Sequence, residues 1–298
     1  MQLASAIEAL WRMPALGLAG KRLFVVGESY GGTWVPLLMS ELAKSSVVKL
    51  GGQALGDGWV DPRAQQGTYS YYAIAHGLVS LGAQAQALLQ LELACIKSID
   101  SFPVNATIPS WVNDVCNKIE EYIVNVSNTN VLDVRNTDDY DFSPIAAYLN
   151  RQEVFSALHL VQDPKTNGWA PDSDAIGNLF ATGEQNSVAP VVSMLLQSVG
   201  LPTLIYNGVF DMDCNFFGTD LWLQQSSWGQ AVGLDQISRV PWFLNGEQVG
   251  MRRHAGLLEQ VVLMDAGHLV PYNVPHVARA MIEQFVANLT LFNDFSEK

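Results

Sequence analysis

Leu23-Phe24-Val25-Val26 runs directly into Gly27-Glu28-Ser29-Tyr30-Gly31, and this junction leaves the chain few folds to choose from. Four apolar residues predict a short buried strand. The next five satisfy G-x-S-x-G, the strand-to-helix elbow that exposes a nucleophilic serine. A serine at the tip of so sharp a turn holds a strained backbone. Side chains two positions to either side are expected to strike the flanking strand and helix, hence the glycines. A helix is predicted from Thr33 to about Ala43. It would start beside Ser29, where free N–H groups and the helix dipole favour a developing oxyanion. A glycine-rich loop without chemistry is the competing reading, and the strand before and helix after the motif weigh against it.

Around the elbow the pattern alternates. A helical face (Leu3, Ile7, Leu10, Trp11) runs to about Arg12, a loop follows from Pro14, then the Leu23 strand and its helix, then a glycine-rich strand and loop from Gly51 to Pro62. Alternation of helix and strand predicts a parallel sheet, an α/β fold. From about Arg63 helical segments take over, including Ala83 to Ala94, Trp111 to Val126 and a short helix over Arg151 to Leu160. Strand signals return after a helical Val188 to Val199, at Pro202 to Tyr206 and Gln260 to Met264. The reading is a core in two parts, residues 1–63 and 190–298, with a mostly helical domain inserted over residues 64–189.

Each returning strand leads to a loop with titratable groups. The first reaches Asn207-Gly208-Val209-Phe210-Asp211-Met212-Asp213, the second Asp265-Ala266-Gly267-His268. In open α/β sheets active residues gather beyond the carboxyl ends of strands, so Ser29, an aspartate and His268 can converge on one crevice. His268 would take the Ser29 proton while a carboxylate orients the imidazole. Spacing leaves Asp211 and Asp213 equally eligible, and either is also an ordinary turn former. His76, His159, His254 and His276 have weaker claims, and no His, Cys and carboxylate spacing fits a metal. No metal or cofactor is expected.

Composition narrows the partners. With 29 acidic against 16 basic residues the formal charge is -13, which repels polyanions, so nucleic acid is not expected. No apolar run is long enough for a membrane span. The first twenty residues lack a signal-peptide pattern, and the chain is expected to begin inside a domain. Three cysteines allow one internal disulfide, with Cys95 and Cys116 the favoured pair and Cys214 alone. Asn105, Asn125 and Asn288 head N-glycosylation sequons.

These motifs together resemble the serine carboxypeptidases, enzymes of α/β-hydrolase fold with lysosomal and vacuolar members. Gly27 to Gly32 is similar to their nucleophile motif, Asn207 to Asn215 to their aspartate loop, and Gly267 to Pro271 to their histidine loop. Gly56 to Pro62 and Leu149 to Val154 resemble two further segments. The resemblance covers nearly all of the chain. It implies Ser29 as nucleophile, His268 as base and Asp211 as orienting acid. It also implies Glu28 as partner of a peptide's terminal carboxylate, and Tyr30 as donor of an oxyanion-hole N–H. The substrate would be a peptide or protein C-terminus and the compartment secretory, vacuolar, lysosomal or extracellular. The bridge would remain Cys95 to Cys116.

The chain also departs from the pattern. It has no Trp-x-x-Gly-Gly-Pro-Gly loop before the nucleophile strand, so one edge of the sheet is expected to be open. Val209 and Asp57 replace an aspartate and an asparagine usual in the family. The alternatives to an acyl-enzyme carboxypeptidase are a catalytically impaired remnant or binding protein, and a serine esterase or acyltransferase.

Overall fold

The computed structural model describes residues 2–104, 106–160, 168–225 and 234–288. Two helices, α1 (Gln2–Trp11) and α2 (Gly31–Leu42), flank strand β1 (Arg22–Glu28), and β2 (Lys49–Gly56) follows. Helices alone fill the next stretch among the described residues. They are α3 (Pro62–Gln65), α4 (Tyr69–Ala75), α5 (Ala83–Asp100), α6 (Trp111–Cys116), α7 (Lys118–Ser127), α8 (Ser143–Leu149), α9 (Gln152–Ala157), α10 (Asp174–Phe180) and α11 (Ala189–Met194). The chain then returns to strands: β3 (Thr203–Gly208), α12 (Phe216–Gln225), β4 (Val240–Leu244), β5 (Glu247–Ala255), β6 (Leu258–Leu263), α13 (Val270–Asn273) and α14 (Pro275–Asn288).

The strands form one sheet in the order β1-β2-β3-β6-β5-β4. Pairing is parallel from β1 through β6, but β5 runs antiparallel to β6 and to β4. The sheet is therefore mixed where alternation had predicted a parallel one. The reason is a tight hairpin at Asn245-Gly246, both with positive φ (53° and 85°), the geometry a two-residue turn between antiparallel strands requires. The helix expected over Trp111 to Val126 is two segments meeting at Asn117. Among the described residues β1 pairs with β2 alone and stands at an edge of the sheet, and Val26 on it is 46% exposed.

Both faces of the central strands are covered, which is why they read as continuous apolar runs. Leu55 and Ile205 point to one layer with Val35, Met39, Val192 and Trp222. Ala54 and Leu204 point to the other, with Val277, Met281 and Phe285 of α14. A separate apolar cluster joins α4, α5, α6 and α7 and includes the disulfide Cys95–Cys116. Cys214 is free and buried. Of the sequons, Asn125 lies exposed on α7, while Asn105 and the side chain of Asn288 fall outside the described residues.

Candidate active site

Ser29 sits at φ 60°, left-handed backbone that a non-glycine residue rarely adopts. Hydrogen bonds hold it there: its N–H donates to Gly56 O, and its carbonyl accepts from the N–H groups of Gly32 and Trp59, each at 2.9 Å. The glycines play different parts from those expected. A Cβ on Gly27 would lie 2.6 Å from Val35 Cγ2, so that position does require glycine. On Gly31 it would meet nothing within 4 Å, and the crowded residue is Gly32, whose Cβ would lie 2.6 Å from Trp59 N. The collision expected at Gly31 is displaced by one residue because the helix there turns its next Cα, not Gly31, onto the Gly58-Trp59 backbone. Among the described residues the Tyr30 N–H donates to no backbone acceptor, as befits a residue just ahead of a helix.

Asp211 and His268 follow the carboxyl ends of β3 and β6, which pair directly. His268 Nδ1 stands 3.0 Å from Asp211 Oδ2, and His268 Nε2 lies 3.8 Å from Asp213 Oδ2. Asp211 is fully buried, and its Oδ1 also accepts the Cys214 N–H at 3.2 Å. The two loops are nearly in backbone contact: a Cβ on Gly208 would fall 2.1 Å from Gly267 O. A third segment clamps them. Leu132 O accepts the His268 N–H at 2.7 Å, Val131 O accepts the Met212 and Asp213 N–H groups, and Phe210 O accepts that of Val134. Arg135 braces this clamp by pairing with Asp133 through two nitrogens and donating to Asp265 O. Nothing local in the sequence marks Asp133 or Arg135 for this work.

The electrostatics are those of a crowded acid cluster. Burial lifts the Glu28 carboxyl to about 7, with His268 opposing and Asp211 adding to the rise. Its Oε2 is buried with no hydrogen-bond partner. Burial alone would lower His268, but the Asp211, Asp213 and Glu28 carboxylates outweigh it and hold the imidazole up at about 9. Protonation of the surrounding acids therefore eases the proton off the ring. Ser29, Tyr30, Trp59, Glu120, Glu184 and Asp213 line a cavity of about 500 Å³. Burial, then the charge of Asp213, raise Glu120 to about 8. Tyr69 OH lies 2.7 Å from Glu120 Oε1 and 2.6 Å from Asp213 O. The hydroxyl donates toward both, and the proton that Glu120 keeps has the Asp213 carboxylate as its acceptor. An aromatic row of Tyr30, Trp34 and Phe180 extends from this cavity, with ring centroids 5.0 and 5.4 Å apart.

The serine carboxypeptidase family model matches residues 12–288. The chain belongs to this family. As a serine carboxypeptidase family member it is 28% identical over 294 residues to the pheromone-processing carboxypeptidase KEX1 of Paracoccidioides lutzii, covering 89% of this chain and 45% of that protein. Against the Podospora anserina protein of the same name it is 27% identical over 297 residues, covering 89% and 49%. The chain thus spans about half the length of the curated relatives it matches. Among solved structures it is similar to KEX1(delta)p, a prohormone-processing carboxypeptidase from Saccharomyces cerevisiae, with a TM-score of 0.79, 20% identity, and 98% of this chain and 67% of that one covered. The fold of this serine carboxypeptidase family member is accordingly the α/β-hydrolase fold.

Proposed function

We propose that the chain carries a serine-type carboxypeptidase site that releases C-terminal residues through an acyl-enzyme. The observation that carries the reading is Glu28, next to the elbow serine. Its buried oxygen lacks a partner, and its carboxyl keeps a proton up to about pH 7. Such a group can share its proton with a peptide's terminal carboxylate, which an esterase has no use for. Ser29 attacks the scissile carbonyl, His268 takes its proton through Nε2, and Asp211 on Nδ1 keeps the tautomer and stabilises the imidazolium. Among the described contacts the imidazole's side-chain hydrogen bond is to Asp211. A hydrogen bond from Ser29 Oγ to His268 Nε2 is expected to form when substrate binds. The Tyr30 N–H meets the oxyanion. The imidazolium then protonates the departing amino group as the C–N bond breaks, leaving the acyl group as an ester on Ser29, and water hydrolyses that ester with the neutral His268 as base again.

Residues 64–189 act in this reading as a cap over the core. The cap supplies Glu120 and Glu184, and the core supplies Asp213, to a cavity wall that among the described residues includes no Lys or Arg. That wall favours a cationic substrate side chain, which this reading places on the acyl side of the scissile bond. The Cys95–Cys116 disulfide supports an oxidising, secretory compartment. Among the described residues no helix is long and apolar enough to cross a membrane.

Fluorophosphonate labelling with peptide mapping tests the reading. A stoichiometric adduct on Ser29, lost in His268→Ala, is expected, as is cleavage of a free-acid peptide in preference to its amide. A folded protein that takes no adduct would instead be a binding protein, and equal cleavage of acid and amide would remove the exopeptidase assignment.

A further inference from the structure

Asp57 stands where the family resemblance places an asparagine, and its surroundings are unusual for a carboxylate. It has no solvent exposure and a left-handed backbone, φ 42°. Its N–H donates to Tyr206 O at 2.7 Å, and its Oδ1 accepts the Gly208 N–H at 2.9 Å, tying the end of β2 to the end of β3. Its Oδ2 is buried and meets no donor. The group within hydrogen-bonding contact of the side chain is instead another carboxyl, Asp211. Two carboxylate oxygens bond each other only with a proton between them.

The groups facing Asp57 from the elements packed around it bring one positive charge, that of the His268 imidazole, and it lies on the far side of Asp211. They are Glu28 at the end of β1, Tyr206 on β3, Tyr72 on α4, and Asp211 and Cys214 in the loop after β3, with His268 beyond Asp211. Burial first, then the charge of Asp211, push the Asp57 carboxyl well above the usual range. Two ionised carboxyls in dry contact repel strongly, so one of the pair carries the proton. Asp211 already accepts from His268 and Cys214. The proton belongs on Asp57.

We propose that Asp57 is a positioning residue for Asp211: it remains neutral, its Oδ2–H donates to the Asp211 carboxylate while Oδ1 holds Gly208, and so it aims Asp211 at His268 Nδ1. A protonated acid thus takes the place of an amide, donating from one atom and accepting on the other. The proposal rests on the catalytic reading of Ser29, His268 and Asp211.

The test is the pH dependence of fluorophosphonate labelling of Ser29 in wild type, Asp57→Asn and Asp57→Leu. Asparagine exchanges one neutral donor and acceptor for another. The acid limb, which reports the imidazole losing its proton, should stay within about 0.3 pH unit of wild type, and the step at which Asp57 ionises should vanish from the alkaline limb. Leucine removes both bonds and should slow labelling about 100-fold in a folded protein. An acid limb that drops by about one unit or more in Asp57→Asn would mean a negative charge had been removed from beside the ring, which overturns the proposal. Undiminished labelling of Asp57→Leu overturns it as well. Infrared spectroscopy decides the proton separately: the carbonyl stretch of a buried carboxylic acid should appear in the wild type minus Asp57→Asn difference. A wild type that fails to label sinks the catalytic reading alone, and the presence or absence of that band still supports or overturns the neutral Asp57.

Discussion

A methyl group at Gly208 has no space to occupy. Built on the existing backbone, the Cβ of Gly208→Ala would lie 2.1 Å from Gly267 O and 2.5 Å from Ala266 O, where ordinary contact begins at 3.4 Å. The obstacles are backbone carbonyls, not side-chain tips that can swing away. The Asp211 and His268 loops must therefore separate by about 1 Å, the scale on which misplacing a catalytic group costs about 100-fold. Overpacking of this kind also costs roughly 1–3 kcal/mol of stability. The loops are pinned on their far side by Leu132 O and Asp133, so Gly267 cannot simply back away: a Cβ there would already lie 2.5 Å from Leu132 O. Gly208→Ala should thus label with fluorophosphonate about 100-fold more slowly than wild type. Assayed well below its midpoint, it should keep a native circular dichroism spectrum with a thermal midpoint lowered by several degrees. Labelling at the wild-type rate in a folded Gly208→Ala protein would refute the argument that loop separation sets the His268–Asp211 alignment.

Four further outcomes are expected. Gly31→Ala, despite breaking the G-x-S-x-G motif, should retain labelling within about threefold because its Cβ meets nothing, whereas Gly32→Ala, blocked by the Trp59 and Gly58 backbone, should lose stability by roughly 1–3 kcal/mol; equal tolerance of both would contradict the packing. Glu28 keeps its proton below about 7 and loses it above, so KM for a free-acid peptide should rise about tenfold per unit above that pH and flatten in Glu28→Gln; the same raised carboxyl makes stability fall as pH climbs from 4.5 to about 7, and a Glu28→Gln protein with an unchanged KM profile would remove Glu28 from carboxylate binding. Asp213→Asn should lower kcat/KM for a peptide with lysine on the acyl side about 10- to 100-fold relative to its norleucine analogue, and an unchanged ratio would dismiss the acidic cavity as a specificity site. Replacing both Cys95 and Cys116 by alanine should cost about 3 kcal/mol in denaturant unfolding, since the bridge closes a loop of 21 residues; an unchanged midpoint would place the stability of the α4 to α7 cluster elsewhere.

Much of the fold could be read from the chain because its signals are local. The Leu23 strand, the elbow and its helix, and the two strands before the Asp and His loops all rest on short-range periodicity and backbone stereochemistry. The β4–β5 hairpin is also written locally, in Asn245-Gly246, but apolar periodicity does not reveal it because β5 carries Glu247, Arg252 and Arg253 among its apolar residues. Glu120, Tyr69 and Asp133 carried no readable signal. Each matters through a partner far away in sequence, such as the Asp213 carbonyl for Tyr69 and the Gly267 backbone beside Asp133.

The sequence by itself determined the strained serine turn and the order Ser29, Asp211, His268, because φ preference and apolar spacing act over a few residues. Spacing leaves Asp211 and Asp213 open and the family resemblance implies Asp211, while the tertiary structure sets Asp211 Oδ2 against Nδ1 of His268. It also decided which glycine bears the close approach, and that Glu28, Asp57, Glu120 and Asp213 share one poorly solvated region. Proton affinities there depend on burial and on charges a few ångströms away, and those distances exist only once β1, β2, β3, β6 and the helices between β2 and β3 have packed together.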